Sequence, residues 1–194
     1  MRRGQKANVP SPYRDYESAN AKTLNTVNQR ATQTLQWAEQ SNLSLLSIAL
    51  DHLTLGRTAL YQAILETDSD NAETSINLAV TGLRRAGSQH HLPRGLLTRA
   101  WLRVWVARQG ASTAAHSLTE AIEDLDEAWE IAERGPMPLF MADIHLHRAR
   151  LLGRVSPYPW VSPQADLAAA RRLIVKHGYG RRKQELEDAE KALA

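Results

Sequence analysis

The sequence predicts an all-α solenoid of antiparallel helix pairs, about eight helices long. Three observations carry that expectation. One phrase recurs as Ile76-Asn77-Leu78-Ala79-Val80-Thr81-Gly82-Leu83, as Leu125-Asp126-Glu127-Ala128-Trp129-Glu130-Ile131-Ala132, and as Leu167-Ala168-Ala169-Ala170-Arg171-Arg172-Leu173-Ile174. Its small residues Ala79, Ala128 and Ala170 are spaced by 49 and 42 residues. A second series, Gly56, Ala100 and Ala149, interleaves with the first at steps of 44 and 49. Two interleaved series of similar period mark stacked helix pairs, because a lone pair cannot bury its apolar face without neighbours. Composition agrees: aromatics are only 6% of the chain, Gly and Pro sit mostly at junctions, and no segment sustains period-two alternation.

Taken in order, residues 1–17 hold Pro10 and Pro12 among basic and polar residues and read as a flexible leader, ahead of a repeat domain over 18–194. Leu24, Val27, Ala31, Leu35 and Ala38 make a helical stripe within Ser18–Ser41, and Asn42 breaks it. A longer helix follows over Leu43–Glu66. The turn at 67–71 offers N-caps for a third helix, which ends near Gly87. Pro93 opens the fourth, which runs to Gly110. Ser112 or Thr113 caps the fifth, Ala114–Arg134, and Gly135-Pro136 stops it. Met137–Arg154 is the sixth. An irregular stretch follows, with Ser162 and Pro163 placed to start the seventh. His177-Gly178-Tyr179-Gly180 separates that helix from a closing one, Arg181–Ala194, whose charged face suits a terminal cap. This gives a leading helix, three pairs and a cap. Trp37-Ala38-Glu39-Gln40 aligns with Ile131-Ala132-Glu133-Arg134, so the leading helix resembles the second member of a pair; either the solenoid begins with an orphan helix or, the favoured expectation, it is cut from something longer.

Several chemistries find no support. The chain has no Cys, which removes disulfides, thiolate zinc sites and cysteine nucleophiles and suits a reducing, cytoplasmic setting. No apolar run follows the basic start as a secretory signal requires, and no stretch approaches the ~20 apolar residues of a membrane span. Asp51 and His52 lack the serine of a hydrolytic triad. Asp143 and His147, one turn apart, could share a hydrogen bond or a metal; neither a metal nor a cofactor is expected. Glu120, Glu123, Asp124, Asp126, Glu127, Glu130 and Glu133 follow polar helix faces and read as solvated. A formal charge of +3 permits acidic partners. The basic stretch Arg171, Arg172, Lys176, His177, Arg181, Arg182 and Lys183 fits a helix end, or a contact with an acidic face of another copy. Nucleic acid is an unlikely partner, since Tyr179 alone interleaves an aromatic ring with those cations.

The stretch Leu118–Ile131, with Ala121 and Ala128 seven apart, resembles the second helix of a tetratricopeptide repeat. His91-Leu92-Pro93-Arg94-Gly95-Leu96-Leu97-Thr98-Arg99-Ala100, Ala142-Asp143-Ile144-His145-Leu146-His147-Arg148-Ala149 and Lys176-His177-Gly178-Tyr179 resemble the repeat tail at the carboxyl end of bacterial NACHT-type signal-transduction ATPases. The repeats here exceed the usual period of about 34 residues, and no Gly-x-x-x-x-Gly-Lys-Ser/Thr phosphate loop is present. The resemblance implies a right-handed solenoid whose first helices line a concave groove. Counting from Gly56, Ala100 and Ala149, it assigns to that groove Arg57 and Tyr61, then Arg94, Trp101 and Trp105, then Asp143, Arg150 and Arg154. A basic groove with aromatic walls suits an acidic peptide or a terminal carboxylate. The implied role is a non-catalytic protein–protein interaction module in a signalling system; the rival is a scaffold self-associating through its leading helix. On this reading Trp101→Ala with Arg150→Ala abolishes binding and spares the helices.

Overall fold

Eight α-helices stack along the chain in the computed structural model, which describes residues 21–66, 70–110 and 113–194. They are α1 (Ala21–Gln40), α2 (Leu45–Glu66), α3 (Asp70–Arg85), α4 (Leu92–Arg108), α5 (Ala114–Arg134), α6 (Pro138–Leu152), α7 (Pro163–Lys176) and α8 (Lys183–Leu193), with a 3₁₀ turn at Gly180–Arg182. No β-strand occurs among the described residues. The expected leader at 1–17 and the cap candidates at 67–69 and Ser112 lie outside them.

Local chemistry sets the boundaries. Asn42 takes a left-handed backbone at φ 49, and the Leu43 N–H reaches back to the Ala38 carbonyl at 2.8 Å, closing α1. Ser44 then caps α2 by accepting from the Ser47 N–H at 3.2 Å. Gly87 and Gly110, both at positive φ, end the turns after α3 and α4. Ser162 caps α7 through the Ala165 N–H at 3.0 Å, with Pro163 in the first turn. Thr113 stands at the N-cap of α5 without a side-chain cap bond.

Each helix packs on the next, most extensively within the pairs α2–α3, α4–α5 and α6–α7. Beyond these sequential contacts α2 touches α4, α4 touches α6 and α6 touches α8, so the first helices of the pairs form an inner series. This is the packing of a helical-repeat solenoid. The recurring small residues stand where helices approach closely: Ala79, Ala100, Ala128, Ala149 and Ala170 are fully buried. A Cβ on Gly56 would lie 2.5 Å from Ile76 Cγ1, and one on Gly82 would lie 2.8 Å from the Ala49 Cβ. The α1 stripe buries Leu24, Ala31 and Ala38 and leaves Val27 38% exposed.

The acidic run on α5 is only in part the solvated face expected of it: Glu123, Glu130 and Glu133 are exposed, whereas Asp124 is buried. Asp124 is 2% exposed and receives Arg99 through both Nε and Nη2, the latter at 2.6 Å, while Arg103 Nη1 donates to its other oxygen at 2.6 Å. These two α4 guanidinium groups latch the second pair together. Asp126 accepts from Arg148 Nη2 and from Trp160 Nε1, both at 2.8 Å, and the Arg148 guanidinium lies over the Trp160 and Trp129 rings. The irregular stretch before α7 is thereby pinned to the solenoid. Tyr158 adds a hydrogen bond to Asp166.

Candidate functional site

The inner helices enclose a cavity of about 590 Å³. From α2 come Arg57 and Tyr61, from α4 Arg94 and Leu97, and from α6 Leu139, Phe140 and Asp143; Tyr179, Arg181, Arg182 and Glu185 close it from the turn and start of α8. Spacings of three or four residues place each helix's contribution on one face. Its volume falls within the range of ligand-binding clefts, roughly 300–1,000 Å³.

Of the expected groove residues, the structure brings Arg57, Tyr61, Arg94 and Asp143 together and leaves four out. Trp101 is 1% exposed, edge-on to the Tyr61 ring at 5.2 Å, and Trp105 is 5% exposed in the same core. Arg150 is buried and donates from Nη1 to Glu185 at 2.8 Å. Arg154 donates to the Ala192 carbonyl at 3.3 Å. The reason is lateral packing. On α4 and α6 the positions one and five after the small residue are taken by neighbouring elements, Trp101 by Tyr61 of α2 and Arg150 and Arg154 by α8. On α2 Arg57 lines the cavity while donating from Nε to Thr98 Oγ1 at 3.0 Å and from Nη2 to the Arg94 carbonyl at 3.3 Å. On α4 and α6 the cavity instead takes Arg94 and Asp143, each six residues before the small one. Consequently the double change Trp101→Ala and Arg150→Ala strikes the core and a buried ion pair, and does not report on a groove.

The residues that sequence reasoning missed are mostly those of the closing turn. Arg182 is buried and donates from Nε to Asp143 at 2.7 Å and from Nη1 to Glu185 at 2.7 Å. Tyr179 donates to the other Asp143 oxygen at 3.2 Å. Burial pushes the Glu185 carboxyl upward, against the opposing pull of Arg182 and Arg150. Burial also raises the Tyr179 hydroxyl, and the Asp143 carboxylate adds to the rise. The signal in the sequence was the run Tyr179-Gly180-Arg181-Arg182, legible as basic but not as the end wall of a cavity.

Both cavity carboxylates are therefore paired, Asp143 with Arg182 and Glu185 with Arg182 and Arg150. Among the described residues, Arg57, Arg94 and Arg181 form no ion pair with a carboxylate. Arg181 rests on the Tyr179 ring at 5.5 Å. The cavity thus combines these cations with the apolar side chains Leu97, Leu139 and Phe140.

Below it, His147 donates from Nδ1 to the Asp143 carbonyl oxygen at 2.7 Å, while the Asp143 carboxylate is taken by Arg182 and Tyr179. Burial, reinforced by Arg182, Arg150 and Arg57, pushes the imidazole down to about 3. In the unfolded chain it titrates near ~6.5. Because the folded value is the depressed one, the stabilisation from a neutral His147 is full above the unfolded value and is lost as pH falls toward the folded one. Below pH ~6.5 this group should lower stability by about 1.4 kcal/mol per pH unit. Urea titrations between roughly pH 7 and pH 5 test this: His147→Gln should flatten the slope by that amount, and unchanged slopes would mean that the folded protein protonates His147.

No protein-family model, curated protein or solved structure matches this chain. Among the described residues no helix is long and apolar enough to cross a membrane, and no three His, Asp or Glu side chains cluster as a metal ion would need.

Proposed function

We propose that this chain is a non-catalytic interaction module that binds an acidic peptide or protein segment in the cavity of its inner helices. The observation that carries the reading is the trio Arg57, Arg94 and Arg181, three guanidinium groups without carboxylate partners among the described residues, facing one cavity beside apolar walls. Guanidinium forks recognise carboxylates with defined geometry, and rigid helices present them with little ordering cost. The repeat resemblance extends the reading to a tetratricopeptide-like sensor or regulatory tail of a cytoplasmic signalling ATPase, acting in the same polypeptide or in trans.

Fluorescence polarisation with labelled pools of acidic, neutral and basic peptides tests it. The acidic pool should bind, weaken with added salt, and lose roughly tenfold or more in affinity when Arg94→Gln and Arg181→Gln are combined. Both side chains are exposed, so the variant should fold normally. Equal retention of all three pools would sink the proposal. A second reading, a self-associating scaffold, draws support from Trp37 on α1, 58% exposed with Leu43 and Leu45 also exposed nearby. A solution mass that rises with concentration would favour it.

A further inference from the structure

We infer that the group this cavity recognises is a phosphomonoester on the partner segment, with an apolar residue beside it; this rests on the peptide-binding reading above. Charge is the first argument. Four guanidinium groups and two carboxylates line the cavity; Arg182 is held by both carboxylates, and Arg150, outside the lining, completes the pairing of Glu185. Among the described residues, the lining cations without a carboxylate partner are Arg57, Arg94 and Arg181. A single carboxylate would leave most of that charge unmatched, whereas a phosphomonoester carries about −1.5 to −2 near neutral pH.

Donor geometry is the second. A phosphoryl group offers three terminal oxygens and so accepts from three separate guanidinium groups, while a carboxylate offers two. Arg57 is partly oriented in advance by Thr98 Oγ1 and the Arg94 carbonyl, which fix its guanidinium at the start of α4. Arg181 is steadied by the Tyr179 ring. Cations already held in place lose less freedom on binding. Leu139, 43% exposed, and Phe140 then form an apolar lip for the neighbouring side chain of the ligand.

The test titrates the full chain with four labelled peptide pools, each with one Leu, Ile or Phe beside the central residue and neutral polar residues elsewhere. The central residue is phosphoserine, serine or glutamate, and the fourth pool ends in glutamate with a free carboxyl terminus. The phosphoserine pool is expected to bind roughly tenfold more tightly than either glutamate pool, with the serine pool near background. Arg94→Gln with Arg181→Gln should bring phosphoserine down to the serine level. Equal or tighter binding of either glutamate pool overturns the phosphate assignment and leaves the acidic-peptide reading standing. Phosphoserine binding unaffected by the two substitutions places the site elsewhere and also overturns it. Binding by none of the pools overturns both.

Discussion

Replacing Arg182 with methionine is expected to lower the unfolding free energy by about 3–5 kcal/mol, the range for breaking a buried ion pair from one side. Arg182 is the shared partner of Asp143 on α6 and Glu185 on α8, and all three side chains are buried. Without it Asp143 keeps only the Tyr179 hydroxyl and Glu185 keeps only Arg150 among the contacts described above. Two carboxylates would then sit in a low-dielectric site with too little compensation. Arg182→Lys should fail nearly as badly, since an ammonium is a point charge and cannot span both carboxylates as the planar fork does. Urea denaturation followed by helical circular dichroism reads the effect. A loss below about 1 kcal/mol would mean that water screens this network. Because the same network seats the closing turn against α6, the Met variant should also bind acidic peptides poorly even under conditions where it remains helical.

The second large effect is Trp101→Ala, expected to cost about 3–5 kcal/mol, as for other large aromatic truncations in a core. The ring packs edge-on against Tyr61 and belongs to the cluster that includes Leu60, Leu97 and Trp105, so its removal opens a cavity between α2 and α4. Thermal denaturation should show a marked fall in Tm. By contrast, the exposed Arg94→Gln should shift stability by no more than about 0.5 kcal/mol. If Trp101→Ala left stability intact and removed only peptide binding, the ring would be a groove wall after all. This contrast separates the two kinds of residue that the resemblance had grouped together.

The helices were legible because their signals are local. Gly87, Gly110, Ser162 and Pro163 punctuate the chain by φ preference and capping, and each acts at the predicted junction. The interleaved small residues also declared the pairing, since only a residue without bulk permits the approach seen at Gly56 and Ile76. The site was half legible. Arg57, Tyr61, Arg94 and Asp143 were foreseen and line one cavity; Trp101, Trp105, Arg150 and Arg154 were foreseen there and are spent on lateral contacts. The same offset from the small residue thus faces the cavity on α2 but serves the core on α4. Lengthened repeats shift which turn of each helix faces inward, and a position-by-position carry-over has no means of seeing that shift.

By itself, then, the sequence determined the all-α class and, among the described residues, the helices to within a few residues and their pairing, because periodicity, caps and small residues act over a few turns. Only the tertiary structure decided which arginines are consumed and which face a cavity. Arg182 and Arg181 are adjacent in the chain, yet one is buried between two carboxylates and the other stands exposed on a tyrosine ring. That difference depends on where α6 delivers Asp143 relative to a turn 36 residues later, which is a property of the stack and not of either segment.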